Sequence, residues 1–433
     1  MYSKYVIRPL ESGISTQYSD LFTPHGFSPF CQNGRIHQKS FSKRWGYASH
    51  RTLGEKVQAI AIFQLAAGDR STLYLTDTNL AKRESGTDKT FSYLTEAYTT
   101  SGIDSISSKT VTGTGTLDWT TAGVAAGDKF ILNIAADYTS DAEPNTKWGT
   151  IATVGTNSLT LVDNYGGTTG GPWTPDKDYI IRKVYSTPAH ERWTYAIVND
   201  HFCFTNGSTD VMGWDGSNYA AALDSTNAKK ARYCCEYANR LVIADFTTNA
   251  GARMPLSIKY SGEGAPDNWD AGVDATSGEY DFLESDDYIT NIGVVGPNII
   301  VYKRDGLISG YRTGDSYTPL AFSNFQKGIG LVAPYSLIDA KSTNFFLGRS
   351  DFYYMDGTQP VPFGDWVRHV FFDLVGETQV QYTWGGHCQT TNEVFWVTDT
   401  TTGQYVFVFN YKELAWYIYR FADDMTAFGK GSI

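Results

Sequence analysis

Two distant segments of the chain repeat one pattern, in which a hydrophobic run, a polar stretch and a second hydrophobic run end in an Asp-Gly pair. Glycine tolerates the positive φ of a tight hairpin and aspartate bonds its own backbone, so the pair favours a turn between two strands. A strand unit that recurs along a chain is typical of folds that add units around one axis. The two segments are Phe202-Cys203-Phe204-Thr205 leading to Trp214-Asp215-Gly216, and Phe345-Phe346-Leu347 leading to Met355-Asp356-Gly357.

Further runs of the same kind fill most of the chain. The 29 Tyr, 24 Phe and 42 Gly residues favour strands joined by turns. Segments 55–104 and 186–433 together hold about six units of about fifty residues, near the size of a propeller blade. The sequence therefore predicts an all-β fold, a β-propeller of about six blades. A large β-sandwich, or two sandwiches in tandem, is the alternative. The other runs begin at Val57, Arg240, Ile299, Val394 and Tyr405.

Two parts of the chain depart from this pattern. Residues 1–54 have neither a long alternation nor a helical period, and Pro9, Pro24 and Pro29 oppose central-strand pairing, which predicts an extended N-terminal arm. Residues 105–185 are rich in Thr, Gly and Ala and contain several short alternating runs. They predict a small β-barrel inserted at a loop of the propeller.

Charge and cysteine usage limit the classes of function. The formal net charge is −11 and no dense Lys/Arg block occurs, which disfavours sequence-specific nucleic-acid binding. No apolar run approaches a membrane span, and the first residues lack an apolar signal core. The expectation is a chain that is neither secreted by that route nor inserted in a membrane. The five scattered cysteines are expected to be reduced: Cys31, Cys203, Cys234, Cys235 and Cys388.

The acidic and histidine residues do not match a known site pattern. The run Glu284-Ser285-Asp286-Asp287 and the loop Asp267-Asn268-Trp269-Asp270 lack the ligand spacing of a calcium loop, so solvated turns are expected. The histidines never pair at metal-ligand spacing. The Asp-Gly turns lack the flanking residues of sialidase-like repeats, and Gly113-Thr114-Gly115 has no helix after it. We expect no catalytic residue, metal ligand or cofactor site, and therefore no enzyme.

A cluster of aromatic residues lies near the C-terminus. It could form a carbohydrate platform, but alternation at period two predicts that its members pack on the two faces of paired strands. The members are Trp396, Tyr405, Phe407, Phe409, Tyr411, Trp416, Tyr417 and Tyr419.

The order of several segments resembles tail hub, nozzle and stabilisation (tail accessory) proteins of short-tailed bacteriophages. The segments cover most of the chain outside the predicted barrel. In the N-terminal part they are Pro24-His25-Gly26-Phe27, Asn33-Gly34, Lys43-Arg44-Trp45-Gly46-Tyr47 and Val57-Gln58-Ala59-Ile60. The later ones begin at Asn239, Ile258, Phe352 and Asn410.

This resemblance implies a structural virion protein made in the bacterial cytoplasm. Such proteins assemble as rings, usually hexamers, and the implied partners are portal or adaptor proteins, tail fibres or spikes, and needle or plug proteins. The ring retains the packaged genome and passes double-stranded DNA during ejection. An acidic wall suits that role because it repels phosphate. A propeller tail module that binds or degrades glycans is the alternative.

The arm is basic within an acidic chain, which predicts an acidic surface as its partner. The sequence leaves open whether that surface belongs to another subunit, to an adaptor ring or to the same propeller. Phe27, Phe30, Phe41 and Trp45 are the expected anchors. The basic residues include Arg8, Arg35, Lys39, Lys43, Arg44 and Arg51.

Overall fold

The computed structural model is a six-bladed β-propeller that carries a closed six-stranded barrel, which confirms the predicted all-β fold class. Five blades are four-stranded antiparallel sheets, and the sixth is a six-stranded sheet. The structure describes residues 12–17, 27–28, 32–37, 40–43, 55–66, 68, 70–84, 91–93, 97–115, 117–132, 148–174, 176–216, 220–223, 230–272, 276–283, 287–315 and 317–429.

Blades 1 to 3 follow the predicted unit of alternating strands and polar turns. Blade 1 consists of Val57–Gln64, Arg70–Thr76, Leu80–Glu84 and Phe91–Tyr93. Blade 2 consists of Thr194–Val198, His201–Thr205, Met212–Trp214 and Ala221–Ala222. Blade 3 consists of Lys230–Tyr237, Arg240–Thr247, Arg253–Tyr260 and Gly278–Asp281.

Blades 4 to 6 repeat the same order. Blade 4 consists of Ile289–Val295, Asn298–Lys303, Gly306–Arg312 and Leu320–Lys327. Blade 5 consists of Ile338–Ala340, Thr343–Leu347, Phe352–Met355 and Pro360–Pro362, and an α-helix, Arg368–Val375, follows it. The own strands of blade 6 are Trp384–Cys388, Glu393–Thr400, Gly403–Asn410 and Ala415–Tyr419. Two short 3₁₀ turns, Pro334–Ser336 and Val380–Tyr382, connect these blades.

The inserted barrel has its own core, which contains Trp119, Phe130 and Tyr179. The indole N–H of Trp119 donates a hydrogen bond of 2.8 Å to the Tyr179 hydroxyl, so the polar atoms of both rings are satisfied inside the barrel. Its first strand begins at Ala97. Residues 97–104, which the sequence predicted to belong to the propeller, are therefore part of the barrel. The barrel strands are Ala97–Ser107, Thr110–Gly113, Lys129–Leu132, Gly149–Val154, Ser158–Leu161 and Lys177–Arg182.

The described part of the arm extends blade 6 of the same chain. Gly13–Ile14 pairs in parallel with the last strand of blade 6, and Phe27–Ser28 pairs with Gly13–Ile14. A hairpin of Gly34–His37 and Ser40–Lys43 follows. The two short strands cover the outer edge of blade 6, which would otherwise expose unpaired backbone groups. Among the predicted anchors, Phe30 and Trp45 lie outside the described residues, as does the side chain of Phe41.

Candidate functional site

The propeller axis encloses a cavity of about 830 Å³. The first strands of all six blades line it, so the ring of blades is closed around the axis. One lining residue from each blade in turn is Gln58, Tyr195, Glu236, Asn291, Asp339 and His387.

The segment that follows blade 6 lines the same cavity through Phe428 and Gly429. The Phe428 ring lies 4.9 Å from the Phe395 ring and 5.4 Å from the Trp384 ring, both in blade 6. Gly429 is so close to Ile60 of blade 1 that an added Cβ would lie 2.2 Å from the Ile60 Cβ. The segment that contains Phe428 and Gly429 therefore lies between blade 6 and blade 1. Among the described residues, blades 1 and 6 exchange no strand, so this segment lies at the point where the ring of blades closes.

An ion network joins blade 3 to the segments that precede blades 2 and 5, next to the cavity. Arg253 makes two hydrogen bonds of 2.6 Å to the buried Asp245 carboxylate, and Arg232 lies 3.6 Å from the same carboxylate. Arg232 also lies 3.2 Å from Glu191, which accepts a 2.5 Å hydrogen bond from the Tyr335 hydroxyl. Burial raises the pKa of Tyr335 well above its usual value, so this hydroxyl stays protonated as a donor. Because both carboxylates are bound by arginine, the arrangement suits a clamp between blades better than proton transfer.

The two Asp-Gly pairs occupy equivalent turns, between the third and fourth strands of blades 2 and 5. Gly216 and Gly357 have φ values of 91° and 102°, which require glycine there. Asp356 accepts hydrogen bonds of 3.0 and 2.6 Å from the backbone and hydroxyl of Thr358, and these bonds lower its pKa. The predicted role as turns is therefore confirmed.

The acidic loop at residues 267–270 also forms a turn, whereas of the run 284–287 Asp287 alone lies in the described part of the chain. In the loop of blade 3, Asp270 accepts a 2.8 Å hydrogen bond from the Gly272 backbone, and Trp269 is buried. Asp287 accepts a 2.7 Å bond from the Asp305 backbone, while residues 284–286 lie outside the described ranges. Among the described residues, no group of three or more His, Cys, Asp or Glu side chains could hold a metal ion.

The C-terminal aromatic cluster packs on both faces of blade 6, as predicted. Trp396, Phe407, Phe409 and Trp416 belong to the core shared with blade 5. Tyr417 and Tyr419 belong to the core on the opposite face. Carbohydrate stacking would need exposed rings, and these six rings are buried. The segment Gly113-Thr114-Gly115 is equally structural, because Gly113 packs against Leu117 and Trp119 in the barrel.

Asn33 anchors the arm to blade 6. Its backbone N–H donates to the Ile418 carbonyl at 3.0 Å, and its side-chain oxygen accepts from the Arg420 N–H at 3.0 Å. Asn33 has a φ of 60°, a conformation that asparagine tolerates better than most residues. Deeper in the arm, the backbone and hydroxyl of Thr16 both donate to the Trp366 carbonyl, at 2.8 and 2.7 Å. The arm is thus fastened to residues that lie 350 and 387 positions away in sequence.

The sequence did not predict one candidate site. A groove of about 250 Å³ lies between blades 3 and 4. Its floor contains the rings of Tyr280, Phe282 and Phe322, and Asp281 and Asp305 are exposed among its lining residues. The sequence signal was the aromatic content of strands 278–281 and 320–327, but alternation does not reveal which ring is left uncovered.

Comparison with known proteins does not assign this chain to a family. No protein-family model matches the chain, and no curated protein matches it. Matching solved structures include an ancestral GH74 enzyme, with 9% identity, a TM-score of 0.34, and coverage of 84% of this chain and 58% of that one. A putative exported protein from Bacteroides fragilis matches with 11% identity, a TM-score of 0.30, and coverage of 52% and 70%. An Aleuria aurantia lectin matches with 11% identity, a TM-score of 0.22, and coverage of 84% and 96%.

None of the helices in the described part of the chain combines the length and apolar content that a membrane crossing requires.

Proposed function

We propose that this chain is a structural protein of a short-tailed phage tail, a hub or nozzle subunit that assembles into a ring, with six copies as the proposed number. In the proposal the ring connects to portal or adaptor proteins, carries fibre, spike or plug proteins, retains the genome and passes DNA. The protein would act by assembly and not by catalysis, in the virion tail.

The observation that carries the proposal is the anchoring of the arm by Asn33. The pair Asn33-Gly34 belongs to the segments through which the sequence resembles tail hub proteins, and in the structure Asn33 bonds both Ile418 and Arg420. A second such segment starts at Asn239 and forms the turn and second strand of blade 3. The resemblance thus rests on residues that position the arm and the blades, which is what a scaffold protein needs.

The axial cavity is not the DNA path in this proposal. Its walls are side chains from six blades, and Phe428 and Gly429 enter it. DNA would instead pass through the centre of a ring of subunits. A net charge of −11 per chain favours sliding, because an acidic wall releases no counterions from DNA and forms no lasting phosphate contacts.

Light scattering coupled to size-exclusion chromatography tests the proposal on the full chain. We expect a single species whose mass is a multiple of 48.0 kDa, with six copies as the proposed multiple. A monomer that does not assemble, alone or with a portal or adaptor protein, would contradict the proposal.

The alternative is a glycan-binding or glycan-degrading tail module, and one observation favours it. The groove between blades 3 and 4 combines the partly exposed Tyr280 ring with the carboxylates of Asp281 and Asp305, which suits a sugar ring and its hydroxyls. Isothermal titration with host polysaccharides, together with assays for released reducing ends, tests it. Saturable binding or hydrolysis by a monomeric chain would support the alternative and argue against the ring.

A further inference from the structure

The groove between blades 3 and 4 has an aromatic floor that the fold does not cover. The Tyr280 ring lies 4.8 Å from Phe322 and 4.9 Å from Phe282, and Phe282 lies 5.2 Å from Phe322. Phe282 is buried, but Tyr280 keeps 40% of its surface exposed. The three rings bridge blades 3 and 4, and they leave part of the Tyr280 ring open to solvent.

Exposed apolar side chains are concentrated along the same two blades. Of the ten exposed large apolar or aromatic residues in the described part of the chain, five lie between positions 280 and 317. Two of them are next to the groove residues in sequence: Leu283 is 75% exposed and Tyr288 is 40% exposed. Large exposed apolar side chains that cluster in this way mark interaction sites more often than scattered ones do.

The rim of the groove carries negative charge. Asp281 and Asp305 are exposed and Asp287 is half-buried. Lys303 also lines the groove, but it is buried and its amine lies 3.5 Å from the Phe282 carbonyl. Lys327 is the exposed cation in the described lining. Aromatic faces next to carboxylates attract lysine and arginine side chains.

The arm has the complementary charge. Residues 1–54 contain seven Lys or Arg and two Asp or Glu, a net of +5 in a chain that carries −11 overall. Its hairpin stands on blade 6, where Arg35 is buried near Glu393, and Lys43 is exposed at the end of the hairpin. Consecutive blades contact one another in chain order, so blade 3 lies across the axis from blade 6. The arm hairpin and the groove are therefore on well-separated sides of one molecule.

We propose that the groove between blades 3 and 4 receives the arm hairpin, formed by the strands Gly34–His37 and Ser40–Lys43, of a second copy of this chain. A head-to-tail ring requires two different complementary surfaces on separate sides of each subunit, and the hairpin and the groove meet that requirement. The arm stays fastened to its own blade 6 while its outer side docks on the neighbour. This inference rests on the proposed ring, and it names the two surfaces that join its subunits.

Photo-crosslinking within the full-length assembly tests the contact. Tyr288→p-benzoylphenylalanine places a reactive group beside the groove, and Val162→p-benzoylphenylalanine on the barrel is the matched control, because Val162 is 47% exposed. Mixing ¹⁴N and ¹⁵N protein before irradiation distinguishes crosslinks between copies from those within one chain. We expect mixed-isotope crosslinks from position 288 to peptides of residues 27–43, and none to these peptides from position 162.

The outcomes separate this inference from the proposed function. A ring whose position-288 crosslinks reach another surface, or no second copy, overturns the inference and leaves the proposed function standing. A chain that stays monomeric overturns both. As an independent readout, Leu283→Ser combined with Asp305→Lys should weaken self-association at least tenfold, while Val162→Ser should leave it unchanged. Equal association of the two variants would also overturn the inference, provided that both keep wild-type circular dichroism spectra.

Discussion

The guanidinium carbon of Arg192 lies 3.9 Å from the centre of the Trp384 ring, so one cation joins the loop before blade 2 to the first strand of blade 6. The same guanidinium donates a 2.9 Å hydrogen bond to the Gln58 carbonyl of blade 1 and another to the Thr426 carbonyl of the C-terminal segment. Burial lowers the pKa of Arg192 to about 10, which still leaves it charged at neutral pH. Arg192 thus bonds the parts of the chain that meet where the ring of blades closes.

Arg192→Gln should lower the free energy of unfolding by about 2 kcal/mol, because it removes a cation–π contact and two charge-assisted hydrogen bonds. Urea denaturation followed by tryptophan fluorescence measures the change. Arg304→Gln is the control, since Arg304 is exposed, and a change below about 0.5 kcal/mol is expected for it. Equal midpoints for the two variants would show that closure does not depend on Arg192.

Gly13→Ala should release the arm from blade 6. Gly13 has a φ of 83°, and an added Cβ would lie 2.7 Å from the Trp416 carbonyl oxygen. Hydrogen exchange at residues 13–16 should become about tenfold faster, which corresponds to about 1.4 kcal/mol of lost docking free energy. Gly68→Ala is the control for backbone strain. Gly68 also has a positive φ, of 100°, but no atom lies near its Cβ position, so this variant adds strain without a steric contact. If hydrogen exchange at residues 13–16 is as slow in the Gly13 variant as in wild type, the arm is not held on blade 6 through Gly13.

The pH dependence of stability should carry the signature of Glu55, which lies where blade 1 meets the barrel. Burial raises its pKa, but hydrogen bonds from Asn79, Thr78 and Thr76 and the charge of Arg182 outweigh that effect, so the pKa is lowered below 4.5. A carboxyl whose folded pKa is lowered stabilises the fold above its unfolded pKa, and this stabilisation disappears as pH falls through the folded value. Glu55→Gln should therefore be less stable than wild type at pH 7, and the gap should close below about pH 4. A gap that is independent of pH in thermal melts would refute this assignment.

Glu393 should behave in the opposite sense. It is buried in blade 6, and burial raises its pKa above 4.5 although the charge of Arg35 in the arm opposes the rise. Stability associated with its protonated form is fully present below the unfolded pKa and is lost as pH rises through the folded pKa. Glu393→Gln should therefore gain stability relative to wild type as pH rises above about 4.5. A relative gain on acidification would mean that the charge of Arg35 dominates over burial.

Replacing residues 97–182 with a short Gly/Ser bridge should leave the propeller folded. The barrel closes on its own six strands and has a separate core, while Tyr185 packs with Trp193 in the propeller and must be kept. The shortened chain loses the Arg182 charge near Glu55, so a decrease of about 1 kcal/mol is expected. One cooperative thermal transition is the predicted result, and a broad, non-cooperative melt would show that the barrel is needed for the propeller.

Local patterns in the sequence predicted the blades well, because alternation and turn chemistry act over a few residues. Runs such as Val394 to Thr398 and the pair Asp356-Gly357 define strands and turns without reference to the rest of the chain. The barrel boundary was harder to place, since Ala97–Ser107 is one continuous strand whose first half does not differ in composition from a blade. The short helix Arg368–Val375 was missed for a similar reason, as eight residues give little periodicity.

Contacts between distant parts of the chain could not be predicted. The parallel pairing of Gly13 with Trp416 and the entry of Phe428 into the cavity depend on where the ends of the chain meet the finished propeller. The groove at Tyr280 depends on which rings two neighbouring blades leave uncovered. Such features depend on how distant segments pack in the folded protein, and the spacing of residues within one strand carries no information about that packing.

Electron microscopy of the negatively stained, purified full-length protein tests whether the chain assembles into a ring, because class averages show the arrangement of subunits. We expect closed rings whose subunits contact one another side by side and whose central channel is wide enough for duplex DNA. Single propellers with no ring, at concentrations where the protein is soluble and also in the presence of a portal or adaptor protein, would contradict it.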